Sequence, residues 1–194
     1  TLCNVPTSAT VRESDIAMML NAGTEVGVAS TKAFVAQTTA LLLVTLLLAR
    51  QRGLQPGLEE EIVQQLHQLP EISAALLKLD EPIAKLAEVF SDKEHALYLG
   101  RGSFYPIAME GALKLKELSY IHAEGYAAGE LKHVPLALVD EAMPVVALAP
   151  NDELLEKLYS NLQEVRSRGG QLFVFVEHGV SVQEEDGITY IVLP

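Results

Sequence analysis

The residues best suited to chemistry are concentrated in residues 111–135, which carry three lysines, three glutamates and two histidines. Lys114 and Glu117 are three positions apart, so they share one face if the segment is helical. His133 follows sixteen positions after Glu117, beyond two glycines, and is therefore predicted to lie in a separate segment. A carboxylate, an ammonium group and an imidazole are the groups that could open a sugar ring and move a proton between neighbouring carbons.

The same residues also have a simpler explanation. Glu110, Lys114 and Glu117 form an alternating charge stripe, and such stripes are usually solvated helix faces with weak ion pairs. His122 and His133 could both be ordinary loop histidines. Spacing alone favours this explanation for any one of the residues, so both interpretations stay open at this point.

The elements around this stretch alternate between strand and helix. One helix is predicted from about Pro106 to Tyr120, and a second is capped by Asn151 or Asp152 and ends near Gly169. Continuous apolar runs predict strands at 96–99, 145–149, 172–176 and 188–193. This alternation predicts a parallel, three-layer α/β fold, in which ligands bind beyond the carboxyl ends of the strands.

The preceding part of the chain is predicted to hold another α/β piece and a helical connection. A helix capped by Ser30 or Thr31 should run to Arg52, and a later helix should end before Pro70. The predicted division is 1–53, 54–92 and 93–194. Because the chain begins and ends in strand-like runs, we expect the first α/β domain to be truncated at its N-terminus and the second at its C-terminus.

Composition excludes several classes of function. A net charge of −12 argues against nucleic acid or an anionic membrane as the main partner. Cys3 is the single cysteine, which rules out a disulfide framework within the chain and suits a reducing, cytoplasmic compartment. The most apolar stretch, residues 40–49, is too short for a membrane span and is predicted to be a helix buried between layers.

Several longer motifs carry a family resemblance. They are VRESD at 11–15, NAGTEVGVASTKAF at 21–34, ALYLGRG at 96–102, EGALKLKELSYIHAE at 110–124, AAGELKH at 127–133 and NDELLEKLYSNLQEVRSRGGQLFVF at 151–175. The chain resembles the isomerase part of the glucosamine-6-phosphate synthase family, the glutamine:fructose-6-phosphate aminotransferases. That resemblance implies two flavodoxin-like sugar isomerase (SIS) domains and binding of a sugar phosphate.

The resemblance also implies roles for individual residues. Glu117 would be the base that moves a proton between C1 and C2, and Lys114 would lie beside it and keep the carboxylate ionised. His133 would open the sugar ring, reaching into the active site of a neighbouring subunit of a homodimer. Val28 and Ser30 would contact the bound sugar. No cofactor and no metal is expected.

One position departs from the family pattern, and several family parts are not found in the chain. The family usually has glycine where this chain has Val134, so the backbone that carries His133 is expected to differ. A phosphate-binding loop, a lysine near the C-terminus and a glutaminase domain of the same parent chain would lie outside residues 1–194. We therefore expect this 194-residue chain to be inactive by itself.

Two other functions remain compatible with these motifs. One is a stand-alone phosphosugar isomerase or deglycase with the same pair of domains. The other is a non-catalytic regulator that binds a sugar phosphate, because a fold alone does not determine function. A regulator would have no use for Lys114, Glu117 and His133 together, and no DNA-binding segment is recognisable in the sequence.

Overall fold

The computed structural model describes residues 1–133, 135–182 and 185–194 of the chain. It divides into two compact units, Thr1–Ser73 and Ala74–Pro194, which are described separately. The expectation about Val134 lies outside the described residues. The domain boundaries predicted from the sequence stay a prediction.

The first unit contains a small parallel sheet and two long helices. Strand β1 (Leu2–Cys3) pairs in parallel with β2 (Met18–Met19), and the short helix α1 (Ala9–Arg12) lies between them in the chain. A loop then leads into helix α2 (Lys32–Gln51). Thr31 is the N-cap residue, as predicted, but its side chain makes no capping hydrogen bond.

The expectation that residues 40–49 form a helix buried between layers is wrong for the described structure. They belong to α2, of which only Ala33, Ala40 and Leu46 are buried. Leu47 and Leu48 are each 59% exposed. With 20 residues and a mean hydropathy of 1.8, α2 is long and apolar enough to cross a membrane by length and composition, a test that a core helix of a soluble protein also passes. The expectation that this stretch is too short to span is therefore not met.

Pro70 does not end a helix as the sequence pattern predicts. Helix α3 runs from Pro56 to Leu76 with Pro70 inside it. A proline removes one backbone donor from a helix but does not always break it, and the residues on both sides of Pro70 are good helix formers. A 3₁₀ turn at Leu77–Leu79 leads into helix α4 (Asp80–Phe90), whose first turn contains Pro82.

The second unit is built on a five-stranded sheet in which every neighbouring pair is parallel. The strand order is β4-β3-β5-β6-β7. The bounds of the strands are β3 His95–Gly100, β4 His122–Ala127, β5 Pro144–Ala149, β6 Gln171–Glu177 and β7 Ile188–Leu193. Helix α5 (Tyr105–Ser119) connects β3 to β4, and helix α6 (Leu155–Arg166) connects β5 to β6.

Each face of this sheet packs against helices, because successive strand residues point to opposite faces. On one face Leu97, Val145 and Val174 join a buried cluster with Leu158 and Leu162 of α6. On the other face Val146 and Phe173 pack against Leu86 and Phe90 of α4. The three-layer parallel α/β architecture predicted from the sequence is confirmed.

Strand β4 was not among the strands predicted from the sequence, in which His122 could be an ordinary loop histidine. Residues 122–127 pair with β3 in register, from His95 with His122 to Gly100 with Ala127. The polar composition of HAEGYA hides this edge strand, because its exposed side carries charges instead of an apolar run. Tyr120 closes α5 in the left-handed conformation, with φ of 61°, and lets the chain turn into β4.

Candidate active site

Helix α5 presents its charged stripe because its opposite side is held against the sheet. Ala108 and Ala112 are buried, and a Cβ atom at Gly111 would lie only 2.8 Å from Cε1 of Tyr98 on β3. Small residues at these positions let the helix backbone approach the strands closely. The charged side chains of α5 are thereby directed away from Tyr98.

Three of those side chains form one ion-pair cluster. Lys114 Nζ donates a hydrogen bond to Glu117 Oε2 at 2.8 Å and lies 3.4 Å from Glu110 Oε1. The three side chains are half-buried, with exposed fractions of 20% for Lys114, 23% for Glu110 and 31% for Glu117. The cluster therefore holds two carboxylates around one ammonium group, in a position that a ligand can still reach.

The electrostatics of the cluster keep Lys114 charged. The hydrogen bond with Glu117 raises the pKa of Lys114, the negative charge of Glu110 adds to this, and partial burial opposes it. Lys114 therefore stays a cation throughout the neutral range and cannot serve as a base there. Of these three groups, a carboxylate is the one that can accept a proton at neutral pH.

His133 ends the 3₁₀ segment Ala128–His133, which we call the 128–133 segment and which directly follows β4. Its side chain is 77% exposed, and its Nε2 atom lies 3.7 Å from Glu130 Oε2. Within the described ranges, no hydrogen bond or ion pair joins His133 to Lys114 or Glu117. The structure thus brings Lys114 and Glu117 together and leaves the His133 imidazole facing solvent.

Val28 and Ser30 lie in the first unit, in the loop before α2. Val28 is 90% exposed and Ser30 is intermediate. The start of the loop is held by Asn4, whose Nδ2 donates to the Gly23 carbonyl at 2.8 Å. Lys32, the first residue of α2, holds the next residue, because its Nζ donates to the Thr24 carbonyl at 2.7 Å. These two contacts fix the start of the loop, and Val28 lies beyond them, exposed to solvent.

Glu110 is the member of the charged cluster to which the sequence assigned no chemical role. The sequence feature that could have indicated its contact with Lys114 is their i, i+4 spacing, which places both side chains on one helix face. Among the residues that the structure describes, no group of three or more His, Cys, Asp or Glu side chains is arranged to hold a metal ion.

A profile of the SIS domain matches residues 1–47 and 89–191, which together cover most of the chain. The chain belongs to the SIS domain family. The match includes the loop with Val28 and Ser30 as well as the sheet and helices that carry Lys114, Glu117 and His133.

A curated SIS relative shares much of its sequence with this chain. Glutamine–fructose-6-phosphate aminotransferase [isomerizing] from Escherichia coli O157:H7 is 60% identical over 193 residues, which is 100% of this chain and 32% of that protein. The same protein from Salmonella typhimurium is 59% identical over the same length. The chain thus spans 32% of the length of these curated relatives.

Solved SIS structures show the same fold. The C-terminal domain of glucosamine-fructose-6-phosphate aminotransferase from Francisella tularensis superposes with a TM-score of 0.96 and is 54% identical. That comparison covers 99% of this chain and 54% of the other. Tagatose-6-phosphate ketose/aldose isomerase from Escherichia coli has a TM-score of 0.71 at 19% identity, over 100% of this chain and 52% of that one, and shows the fold alone.

Proposed function

We propose that the chain is the isomerase part of a glutamine–fructose-6-phosphate aminotransferase that makes glucosamine 6-phosphate. The observation that carries the proposal is the half-buried Lys114–Glu117 pair, in a chain 60% identical to such an enzyme over its full length. The substrate is fructose 6-phosphate, and the ammonia comes from a glutaminase domain of the same parent chain. The expected location is the cytoplasm, without a membrane or nucleic acid partner.

The proton transfer is assigned to Glu117. When the amino group has been added at C2 of the opened sugar, the Glu117 carboxylate takes a proton from C1 and returns it to C2, which converts the ketose form to the aldose form. Lys114 remains protonated and holds the carboxylate by its hydrogen bond of 2.8 Å. Glu110 shares the same ammonium group and limits how far Lys114 can turn away.

Ring opening is assigned to His133 and sugar contact to Val28 and Ser30. The exposure of His133 suits an imidazole that reaches a sugar bound in a neighbouring subunit, as the family resemblance implies. An imidazole exchanges protons near neutral pH, which ring opening requires. Val28 and Ser30 lie on the loop before α2, whose start is held by Asn4 and Lys32, and they can offer backbone and hydroxyl contacts to the sugar.

The other two candidate functions have less support. A stand-alone phosphosugar isomerase or deglycase would share the fold, but the identity to the aminotransferases extends over the entire chain. A sugar-phosphate-binding regulator would not need a half-buried carboxylate paired with a lysine. Neither alternative has a specific observation in its favour.

The test is Glu117→Gln in the complete enzyme. Glutamine keeps the size of the side chain and removes the base, so isomerisation should fall by about 10²–10⁴-fold while sugar-phosphate binding is retained. The measurement is exchange of deuterium from solvent into the sugar phosphate, together with product formation.

A matched control is Glu124→Gln. Glu124 is also paired with a lysine, at 3.4 Å from Lys116 Nζ, but it lies on β4 and has no assigned role. We expect this variant to turn over normally. Near-normal isomerisation by the Glu117→Gln variant would contradict the proposed function.

A further inference from the structure

The 128–133 segment, which carries His133, is fixed to the second unit along one side only. Ala128 and Leu131 are fully buried and belong to the same core cluster as Leu158 and Leu162 of α6. Between and beyond these two anchors the segment is exposed. Its path over α6 therefore depends on the polar contacts at its exposed positions.

Arg101 makes contact with this segment from the end of β3. Gly100 pairs with Ala127 at the carboxyl ends of β3 and β4, so Arg101 and Ala128 leave the sheet side by side. A Cβ atom at Gly129 would lie 3.1 Å from Nη1 of Arg101 and 3.7 Å from its Cζ. The guanidinium thus lies against the backbone of Gly129, and a glycine leaves the space that it occupies.

The other side of the guanidinium is held by α6. Arg101 Nη1 donates a hydrogen bond to Asn161 Oδ1 at 3.2 Å. Asn161 is 8% exposed and is the only polar side chain classed as buried among the described residues. Burying an amide lowers the stability of the folded state unless the amide is hydrogen-bonded. The hydrogen bond from Arg101 satisfies the Asn161 oxygen, which indicates that this polar residue faces the core in order to hold Arg101.

A second polar contact supports the same arrangement. Lys132 Nζ lies 2.9 Å from Glu164 Oε1, and Glu164 is three residues after Asn161 on α6. Asn161 and Glu164 therefore share one side of the helix. The residue immediately before His133 is tied to α6 through Lys132, and the start of the segment is tied to it through Arg101.

We propose that Arg101 is a positioning residue that acts through His133. Its guanidinium, held between Gly129 and Asn161, fixes the course of the 128–133 segment and thereby the point from which the His133 imidazole reaches the sugar. The proposal rests on the ring-opening role assigned to His133 above. Arg101 itself is not assigned any contact with the substrate.

Arginine suits this position better than lysine does. Its planar group can donate to Asn161 and lie flat against the Gly129 backbone at the same time, whereas an ammonium group is a compact point charge. Arg101→Lys should therefore recover only part of the function lost in Arg101→Met. Gly129→Ala presses on the same contact from the other side, because its new methyl group would lie 3.1 Å from Arg101 Nη1 and require the guanidinium to move by a few tenths of an ångström.

The first measurement is hydrogen–deuterium exchange of the complete enzyme. In Arg101→Met and in Gly129→Ala, the amides of the 128–133 segment should exchange faster while those of β5 and β6 are unchanged. The control is Arg168→Met, which replaces an exposed arginine just after α6. It should change the exchange rates of neither the 128–133 segment nor β5 and β6. Unchanged exchange of the segment in both test variants would overturn the proposal.

The second measurement is a double-mutant cycle in the complete enzyme with Arg101→Met and His133→Ala. Arg101→Met alone should lower kcat by about 10–100-fold with little change in KM, since a misplaced catalytic group loses roughly that much. Added to His133→Ala, it should have no further effect. Losses that multiply would show that Arg101 acts independently of His133 and would overturn the proposal. Failure of the proposed function would be recognised separately, as normal turnover by the Glu117→Gln variant.

Discussion

At the scale of residues, one lysine contacts two carboxylates at unequal distances. Lys114 is hydrogen-bonded to Glu117 and has a longer contact of 3.4 Å with Glu110. The shorter contact is the largest cause of the raised pKa of Lys114. The cluster is thus asymmetric, and the carboxylate that is bound most directly is the one to which the proton transfer is assigned.

The asymmetry can be tested by titrating Lys114 with NMR. Its pKa should lie above the ordinary lysine value, Glu117→Gln should lower it most, and Glu110→Gln should lower it less. Because the pKa is raised on folding, the pair stabilises the folded state fully below the ordinary lysine pKa, and this is lost as pH rises through the raised value. An equal response to the two substitutions would contradict the assigned order of contacts.

At the scale of elements, close packing of α5 on β3 sets the direction of the charged cluster. Gly111 is the point of closest approach, where a Cβ atom would meet the Tyr98 ring at 2.8 Å. Burial raises the pKa of Tyr98 to about 12, which is consistent with a ring held against the helix. A shift of α5 away from the strand would move Lys114 and Glu117 together.

Gly111→Ala should therefore destabilise the protein although alanine favours helices. The cost of overpacking is about 1–3 kcal/mol, and the gain in helix propensity is about 1 kcal/mol, so a net loss of up to about 2 kcal/mol is expected. Urea unfolding followed by tyrosine signals measures it, since the chain has no tryptophan.

Gly57→Ala is the matched control for that substitution. Gly57 lies in the first turn of α3, and a Cβ atom added there would meet no other described atom within 4 Å, so alanine should be neutral or slightly stabilising. If Gly111→Ala proved as stable as this control, the close packing of α5 would not be what directs the cluster.

The elements also show what the sequence could and could not predict. Continuous apolar runs were sufficient for β3, β5, β6 and β7, because strands of a covered parallel sheet are apolar, and helix α5 was also predicted between β3 and the next element. Strand β4 could not be recognised in this way, because an edge strand with charged side chains lacks an apolar run. The continuation of α3 through Pro70 was also missed, since a proline penalises a helix without forbidding it.

The site was predictable to a similar degree. The contact between Lys114 and Glu117 follows from their spacing on a helix. The contact of Arg101 with Gly129 and Asn161 could not be predicted, because it joins three elements that are far apart in sequence. Only the folded sheet brings such residues together.

At the scale of the whole molecule, the exposed residues predict assembly. We expect the chain to form a symmetric dimer with residues 122–135 near the interface, because His133 is proposed to act on a sugar bound in the neighbouring subunit. The exposed Leu47 and Leu48 of α2 are a second reason to expect association, since exposed apolar side chains favour contact with a partner. Light scattering at micromolar concentration measures the mass, and exchange protection of residues 122–133 locates the interface. A monodisperse monomer, or a dimer that leaves these residues exposed, would contradict this prediction and weaken the role of His133.

The parallel sheet of the second unit also has a consequence for synthesis of the chain. Leu97 of β3 pairs with Glu124 on one side and Val145 on the other, and both partners are encoded later in the chain. At about 5–20 residues per second, the ribosome needs roughly 2–10 s to proceed from β3 to β5. During this interval β3, an interior strand of the future sheet, lacks at least one neighbour, so its apolar residues stay open to aggregation until β5 has been made.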